Sequence, residues 1–290
     1  MPIRYPEILE LRDGPRRFEW NDRDVMLYAL GIGCAADPRH EERHYVQENG
    51  LQVVPTFASV LCWGAGVSPD RMGLDRRRTL HAAETILLHR PLPVAGIVIA
   101  DSRVTAAWDK GEKGAVIERE IQVTDAATRE PLVTINRTAM ARADGGFGGP
   151  TDAPVPLPMP QRAADRIVRF ATRPEQALLY RLSGDRNPLH AEPAAAAAAG
   201  FPRPILHGLC TLGFSCRAVL ETCCPAGAGQ LRQFGARFSS PVYPGEEIEV
   251  HLWLSGNEVN FAARVPARDV AVISHGQALL AAPAVQKGNP

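Results

Sequence analysis

No apolar run in these 290 residues approaches the ~20 needed to cross a bilayer. The opening stretch, MPIRYPEILELRDG, has no apolar core of a secretory signal, and the closing QKGNP is not a peroxisomal address. Charge of one sign is also missing: 32 basic residues balance 32 acidic ones. That balance argues against a general nucleic-acid or anionic-membrane surface, while leaving room for a local basic pocket. The six cysteines, at 34, 62, 210, 216, 223 and 224, form no CxxC pair. Adjacent Cys223 and Cys224 make a poor start for a disulfide framework, so buried reduced thiols are expected. The absences together point to a cytoplasmic protein that binds neither nucleic acid nor membrane.

What is present falls into two halves. Residues 144–160, DGGFGGPTDAPVPLPMP, are dense in Gly and Pro and carry no periodicity, which marks a linker. It separates an N-terminal repeat (1–143) from a C-terminal one (161–290). In the second half, HGLCTLGFSCRAVLET (207–222) spaces Leu209, Leu212, Cys216, Val219 and Leu220 as a helix does. Four strand-like runs follow: QLRQFGARFSSPVY, EEIEVHLWLSG, EVNFAARVPA and DVAVISHGQALLAA. The first half offers a helix over 22–35, then TLHAAETILLHRPLP, AGIVIADSRVTAAW, KGAVIEREIQVTD and PLVTINRTAMARA as strands. The turns correspond as well, with Pro91 and Pro241 standing 150 residues apart. Two copies of one unit are expected, a helix and an antiparallel meander, giving an α+β fold with a long helix against the sheet. AEPAAAAAAGF (191–201) reads as a short helix between Pro193 and Gly200.

Residues 40–44, HEERH, satisfy the H-E-x-x-H pattern of zinc peptidases. That chemistry needs His40 and His44 on one helical face with Glu41 as base. Glu42 and Arg43 between them suit a solvated loop or helix end, and Pro38 allows at most a helix start. No metal site is expected.

The chemistry-bearing stretch is YRLSGDRNPLHAEP (180–193). Asp185 and His190 stand five apart, a step that turns ~500° on a helix and crosses to the other face of a strand. Only a bend brings them together. Pro188 restricts Asn187, and Gly184 can adopt angles closed to other residues, so the stretch can fold an acid and a base around one point. The same residue types also fit an Asn-Pro turn whose Asp caps the next helix and whose His is incidental.

At YRLSGDRNPLH the chain resembles the hydratase 2 family of (R)-specific enoyl-CoA hydratases, the MaoC-like dehydratases. The resemblance continues through GFPRPILHGLCTLGF and RFSSPVYPGE, and RDVMLYALGIG, LHAAETILLHRPLP and WDKGEKG resemble the partner repeat of the two-repeat members. It implies a double hot-dog fold, each repeat a curved sheet around a long central helix. The implied activity is reversible syn hydration of trans-2-enoyl-CoA to the (3R)-hydroxyacyl-CoA, a hydro-lyase reaction of lipid metabolism without cofactor.

Asp185 and His190 would be the catalytic pair, with Asn187 in support and the Gly208 N–H on the thioester oxygen. Substrate contacts would fall on His81, Ala82, Lys110, Phe238 and the 185–190 loop, with Arg186, Pro188 and Leu189. The family usually has His-Gly where His81-Ala82 stands, so the added methyl narrows a close backbone approach. The first repeat has no D-x-N-P-x-H motif of its own, which implies one site per chain and a first repeat reshaped for the acyl tail. A homodimer is the implied assembly.

An enoyl thioester takes up water because its carbonyl draws charge, and a fixed N–H on that oxygen stabilises the enolate-like transition state. Gly208 heads a helix, where free N–H groups favour a growing anion; tight packing is its plainer reading. Asn187 serves equally to hold water or to form the turn. His207 reads as a polar residue at the helix start, outside the chemistry. Lys110 by type is a solvated turn lysine, and Phe238 a core strand residue. Thioester hydrolysis on the same fold, or acyl-CoA binding without turnover, are the competing readings; the complete D-x-N-P-L-H motif speaks against both.

Overall fold

The computed structural model describes residues 2–281; the closing QKGNP lies outside them. β1 (Arg12–Trp20) leads into α1 (Asp22–Gly31). Asn21 caps α1 by accepting the Asp24 N–H, while the Asp24 carboxylate accepts the Asn21 N–H, a reciprocal box. Two helical fragments follow, α2 (Ala58–Leu61) and α3 (Pro69–Met72). The meander is β2 (Thr79–Leu88), β3 (Gly96–Asp109), β4 (Ala115–Asp125) and β5 (Pro131–Ala141). The second half starts with β6 (Arg166–Ala171), α4 (Gln176–Tyr180), α5 (Pro193–Ala198) and α6 (Gly208–Cys223). Its meander is β7 (Leu231–Phe238), β8 (Glu247–Ser255), β9 (Glu258–Val265) and β10 (Val270–Leu280).

The strands form one antiparallel sheet in the order β1-β3-β4-β5-β2-β7-β10-β9-β8-β6. The second five are the first five with each number raised by five and the order reversed. The halves are therefore related by a local two-fold axis where β2 meets β7. Register locates it: Thr85 lies opposite Gly235, 150 residues on, with Ala83 opposite Arg237 and Leu87 opposite Gln233. A Cβ on Gly235 would stand 2.6 Å from Thr85 Oγ1, so the axis position has no room for a side chain.

All eight strands and both Ala-rich and long helices read from the sequence are present, but β1 and β6 escape the pattern. They are the two ends of the sheet; β1 is mostly exposed and charged, and β6 mostly exposed with Arg166 and Arg169, which blunts the alternation and guards a free edge.

The two repeats differ in their helices. α6, with every residue from 209 to 220 buried, packs against the β6–β10 half of the sheet. A helix buried all round needs no polar face, as its sequence shows. Among the described residues the first repeat has no such helix. Helix 22–31 is instead the counterpart of α4, since each follows an edge strand. The two pack together, with Gln176 Nε2 donating to the Gly31 carbonyl at 2.6 Å and the Tyr28 and Tyr180 rings 6.0 Å apart. Where a second α6 would lie, the chain makes a 3-10 turn from Pro55 and the four-residue α2, then breaks at Gly64 and Gly66.

Polar groups occupy the inner face there. Arg119, Arg137 and Glu84 form one cross-strand row over β4, β5 and β2. Glu84, 1% exposed, accepts the Ser59 hydroxyl and Arg137 Nε (2.7 Å), and Arg137 Nη2 donates to the Ser59 carbonyl (2.7 Å). This row divides a small apolar cluster around Val67, Val104 and Ile117 from the main core.

HEERH is a loop running into a 3-10 turn, with Glu41 and Arg43 exposed as its charges suggest, but Glu42 departs from the expected solvated surface. His44 lies in a 3-10 turn (Arg43–Tyr45) that begins after His40. Glu42 is buried, taking Arg217 Nε and Nη2 at 2.6 and 2.7 Å in a fork, and His40 Nδ1 sits 2.7 Å from Glu221. Polar residue types alone do not reveal partners supplied 175 residues away. The segment 144–160 carries no helix or strand and is pinned to the β3–β4 turn, where Asp109 accepts N–H groups from Gly111, Gly146 and Gly148 at 2.8 Å.

Candidate active site

The bend that Gly184 and Pro188 promise is present. Gly184 has φ +134°, and a Cβ there would meet the Trp63 ring at 2.7 Å. Asp185 Oδ1 accepts the Asn187 N–H at 3.1 Å, and Asn187 Oδ1 accepts the Leu189 N–H at 3.0 Å. Two nested side-chain turns thus start the 3-10 turn Pro188–His190, where the absent N–H of Pro188 goes unmissed. The carboxylate and the imidazole end on the same side, His190 Nε2 lying 3.9 Å from Asp185 Oδ2. That gap is too long for a hydrogen bond and suits one water between them.

His190 is 8% exposed. Its Nδ1–H donates to the Ile205 carbonyl at 2.9 Å, which leaves the Nε2 lone pair facing Asp185. Desolvation lowers its pKa, opposed by the Ile205 bond and by Asp185, so the ring is held neutral and able to accept a proton. Gly208 is the first residue of α6, and among the described residues no acceptor takes its N–H. A Cβ on Gly208 would lie 3.1 Å from the Phe238 ring, so the glycine makes a close packing contact beside its free N–H. Phe238 packs edge-on against His81, ring centres 5.0 Å apart.

His81 in turn stands 3.6 Å from Glu84 of the buried row, joining the first repeat to the site. Ala82 is the extra residue of a β-bulge where β2 slips against β5. Lys110 is not in contact with the 185–190 loop. Its Nζ donates to the Thr151 carbonyl at 2.6 Å, in the turn beyond the row Asp109–Ala115–Ala141–Thr79. Arg186, Asn187 and Pro188 are exposed, Leu189 half-buried, and Asn187 spends its side-chain oxygen on the turn.

Sequence reasoning set aside one residue that the fold puts at the centre. His207, 2% exposed, stacks on His190 at 3.7 Å and 25°, and its Nε2–H donates to the Asp185 carbonyl at 3.0 Å. Asp185, His190 and His207 each bring a ligand-type atom within 4.8 Å of the others. Two of the four ring nitrogens are committed to backbone carbonyls, and the stacked rings direct the remaining lone pairs along nearly parallel planes. Such a set favours a shared water over convergence on one cation. A polar residue immediately before a helix-starting glycine was the only signal for it.

Comparison with known proteins places the chain in a family. Residues 18–143 match the family described as MFE-2 hydratase 2 N-terminal domain, and residues 156–275 the MaoC like domain. The chain is 41% identical to the enoyl-CoA hydratase ChsH3 of Mycobacterium tuberculosis, over 97% of this chain and all of that one. A MaoC-like dehydratase from Phytophthora capsici superposes with a TM-score of 0.87 at 28% identity, covering 97% of this chain and 100% of the other. A second M. tuberculosis protein, described as having a double hotdog fold, shares the architecture alone (TM-score 0.53, 12% identity, 94% and 95% covered). Fold, motif and relatives converge, and the chain belongs to the MaoC-like, hydratase 2 family of double hot-dog proteins.

Proposed function

We propose that the protein catalyses reversible syn hydration of trans-2-enoyl-CoA to (3R)-3-hydroxyacyl-CoA, acting as a hydro-lyase. The observation that carries the reading is the neutral His190 Nε2 facing the Asp185 carboxylate across 3.9 Å, with the tautomer fixed by Ile205. A water between them loses a proton as its oxygen bonds to C3. C2 gains a proton from the same pair, so the pair ends as it began and no cofactor enters. Electron density meanwhile moves to the thioester oxygen, where the Gly208 N–H at the head of a 16-residue helix stabilises it. Both new bonds form on the face turned to the pair, which gives syn addition. The relative named enoyl-CoA hydratase supports the same reaction. The His81–Phe238 edge supports placing the pantetheine arm beside it, and the acyl tail would run toward the repeat without a long helix. A homodimer completes the reading, with sedimentation velocity as its check.

The test is a panel of trans-2-enoyl-CoA substrates graded in length and bulk. Loss of the conjugated enoyl absorbance with a 3R product is expected. Release of free thiol with that absorbance retained would establish hydrolysis instead, and tight binding without turnover would establish a carrier.

A further inference from the structure

We infer that His207 is a positioning residue of the hydration site, and that its Nε2–H holds the Asp185 loop in register with the Gly208 N–H. This rests on the reading just given. Asp185 sits on a bend that begins at a positive-φ glycine, and Asp185, Arg186 and Asn187 lie outside any helix or strand. His207 is the residue before α6, so its neighbour in the chain is the glycine that offers the free N–H. One side chain therefore ties the acid's own backbone to the donor's. The bond is 3.0 Å long, and the ring making it is clamped between Tyr180 (4.8 Å) and His190 (3.7 Å). Because the ring is 2% exposed, water cannot replace the donor if it is lost.

Burial, aided by His190, lowers the His207 pKa to about 3. The ring is thus neutral over the working range, and neutrality matters twice. A cation against the face of His190 would oppose the positive charge that His190 takes on when it accepts a proton. The neutral Nε2–H tautomer also leaves Nδ1 as a bare acceptor, and that atom has no partner among the described residues. It adds an acceptor beside the pair without adding charge.

The test compares His207→Gln with His207→Asn. A glutamine amide nitrogen falls near the place of the imidazole Nε2, whereas an asparagine amide is too short to reach the Asp185 carbonyl. Thermal melts establish that each variant is folded, and wild type assayed alongside must hydrate enoyl-CoA; if it does not, the functional reading fails and not this one. With wild type active, His207→Gln is expected within about threefold of its kcat. His207→Asn should lose ten- to a hundredfold in kcat with KM within about threefold, because the substrate contacts lie elsewhere. His207→Phe, which keeps the stack and removes the donor, should resemble Asn. Equal kcat for Gln and Asn, or near-wild-type kcat for Phe, would overturn the inference, as would a loss expressed in KM alone.

Discussion

The loop after α1 and the loop after α4 occupy the same station in the two repeats, and each contains an aspartate and a histidine. In the first, Asp37-Pro38-Arg39-His40 turns the two side chains apart. Asp37 is taken by Arg39, and His40 crosses to Glu221. In the second, the two added residues and the Asn187 side-chain turn bring Asp185 and His190 to face each other across 3.9 Å. A fold position does not make a site. What matters is whether the acid and the base are left free for a third party, and in the first repeat both are already engaged.

Removing either free group should break this contrast most strongly. Asp185→Ala and His190→Ala are each expected to lower kcat/KM for enoyl-CoA hydration by two to four orders of magnitude, roughly the scale of a lost general base. Melting curves check folding: Asp185 is part-exposed and the turn retains Asn187 and Pro188, whereas His190 is buried and its loss leaves the Ile205 carbonyl without its donor. Near-normal turnover in either variant, measured on folded protein, would remove the pair from the chemistry.

Next in size are the buried ion pairs, which show how the repeats are joined. Glu42–Arg217 runs from the first-repeat loop to α6, with side chains 6% and 2% exposed, and Arg217 also donates to the Ile32 carbonyl. Glu42→Leu leaves a buried guanidinium without its carboxylate and should cost about 3–5 kcal/mol of unfolding free energy. Glu42→Leu with Arg217→Met should recover most of that loss in chemical denaturation. If the double variant is as unstable as the single, packing against Phe170 and Phe214 carries the stability rather than the charge pair.

Acid should act more mildly, through histidines of both repeats, since burial lowers the pKa of His81 in the first to about 4. The folded pKa of His207 lies at about 3, below the value of 6.5 for a free histidine. Between these values the unfolded chain binds the proton and the folded chain does not, so stability is full above pH 6.5 and falls as pH decreases. His207 alone should contribute a loss of roughly 2 kcal/mol between pH 7.5 and 5. His190, shifted the same way by burial, steepens the slope. Denaturation curves at the two pH values should show His207→Gln losing less than wild type. An equal loss would mean the ring is not held neutral by burial.

The sequence carried the repeat, the meanders and the Gly184–Pro188 bend because each is written locally. Strand alternation, Pro-Gly punctuation and the Gly184–Pro188 spacing all act within a few residues. The offset of 150 between Pro91 and Pro241 is also the offset between Thr85 and Gly235 at the two-fold axis. What stayed hidden depends on distant partners. Glu42 looks like a surface acid until Arg217 arrives from α6, and His207 looks like a helix-start polar residue until the 184–187 bend lays Asp185 and His190 against it. The missing first-repeat helix was masked differently. Helix 22–31 satisfied the expected count of helices, although its counterpart is α4. The Arg119–Arg137–Glu84 row stands in phase with the inward residues Ile117, Ile121, Ile135 and Ile86, so it interrupts the apolar face with polar groups where a long helix would have lain.

The smallest expected effect is the sharpest check on the opening contrast. His40 has the residue type, the loop and the nearby acid of its counterpart, and its side chain is as buried, 8% exposed against 9% for His190. If type and burial made a catalytic histidine, His40→Ala would slow hydration. Its Nδ1 is instead 2.7 Å from Glu221 near the C-terminal end of α6, while the chemistry is placed at the N-terminal end. A 16-residue helix separates its ends by about 24 Å, too far for direct contact with one substrate double bond. His40→Ala should therefore leave kcat and KM within about twofold of wild type while lowering stability by ~1 kcal/mol, the worth of one part-exposed ion pair. A kinetic loss exceeding that in folded protein would mean the first-repeat loop takes part in the reaction, and the two loops would no longer differ in the way their geometry indicates.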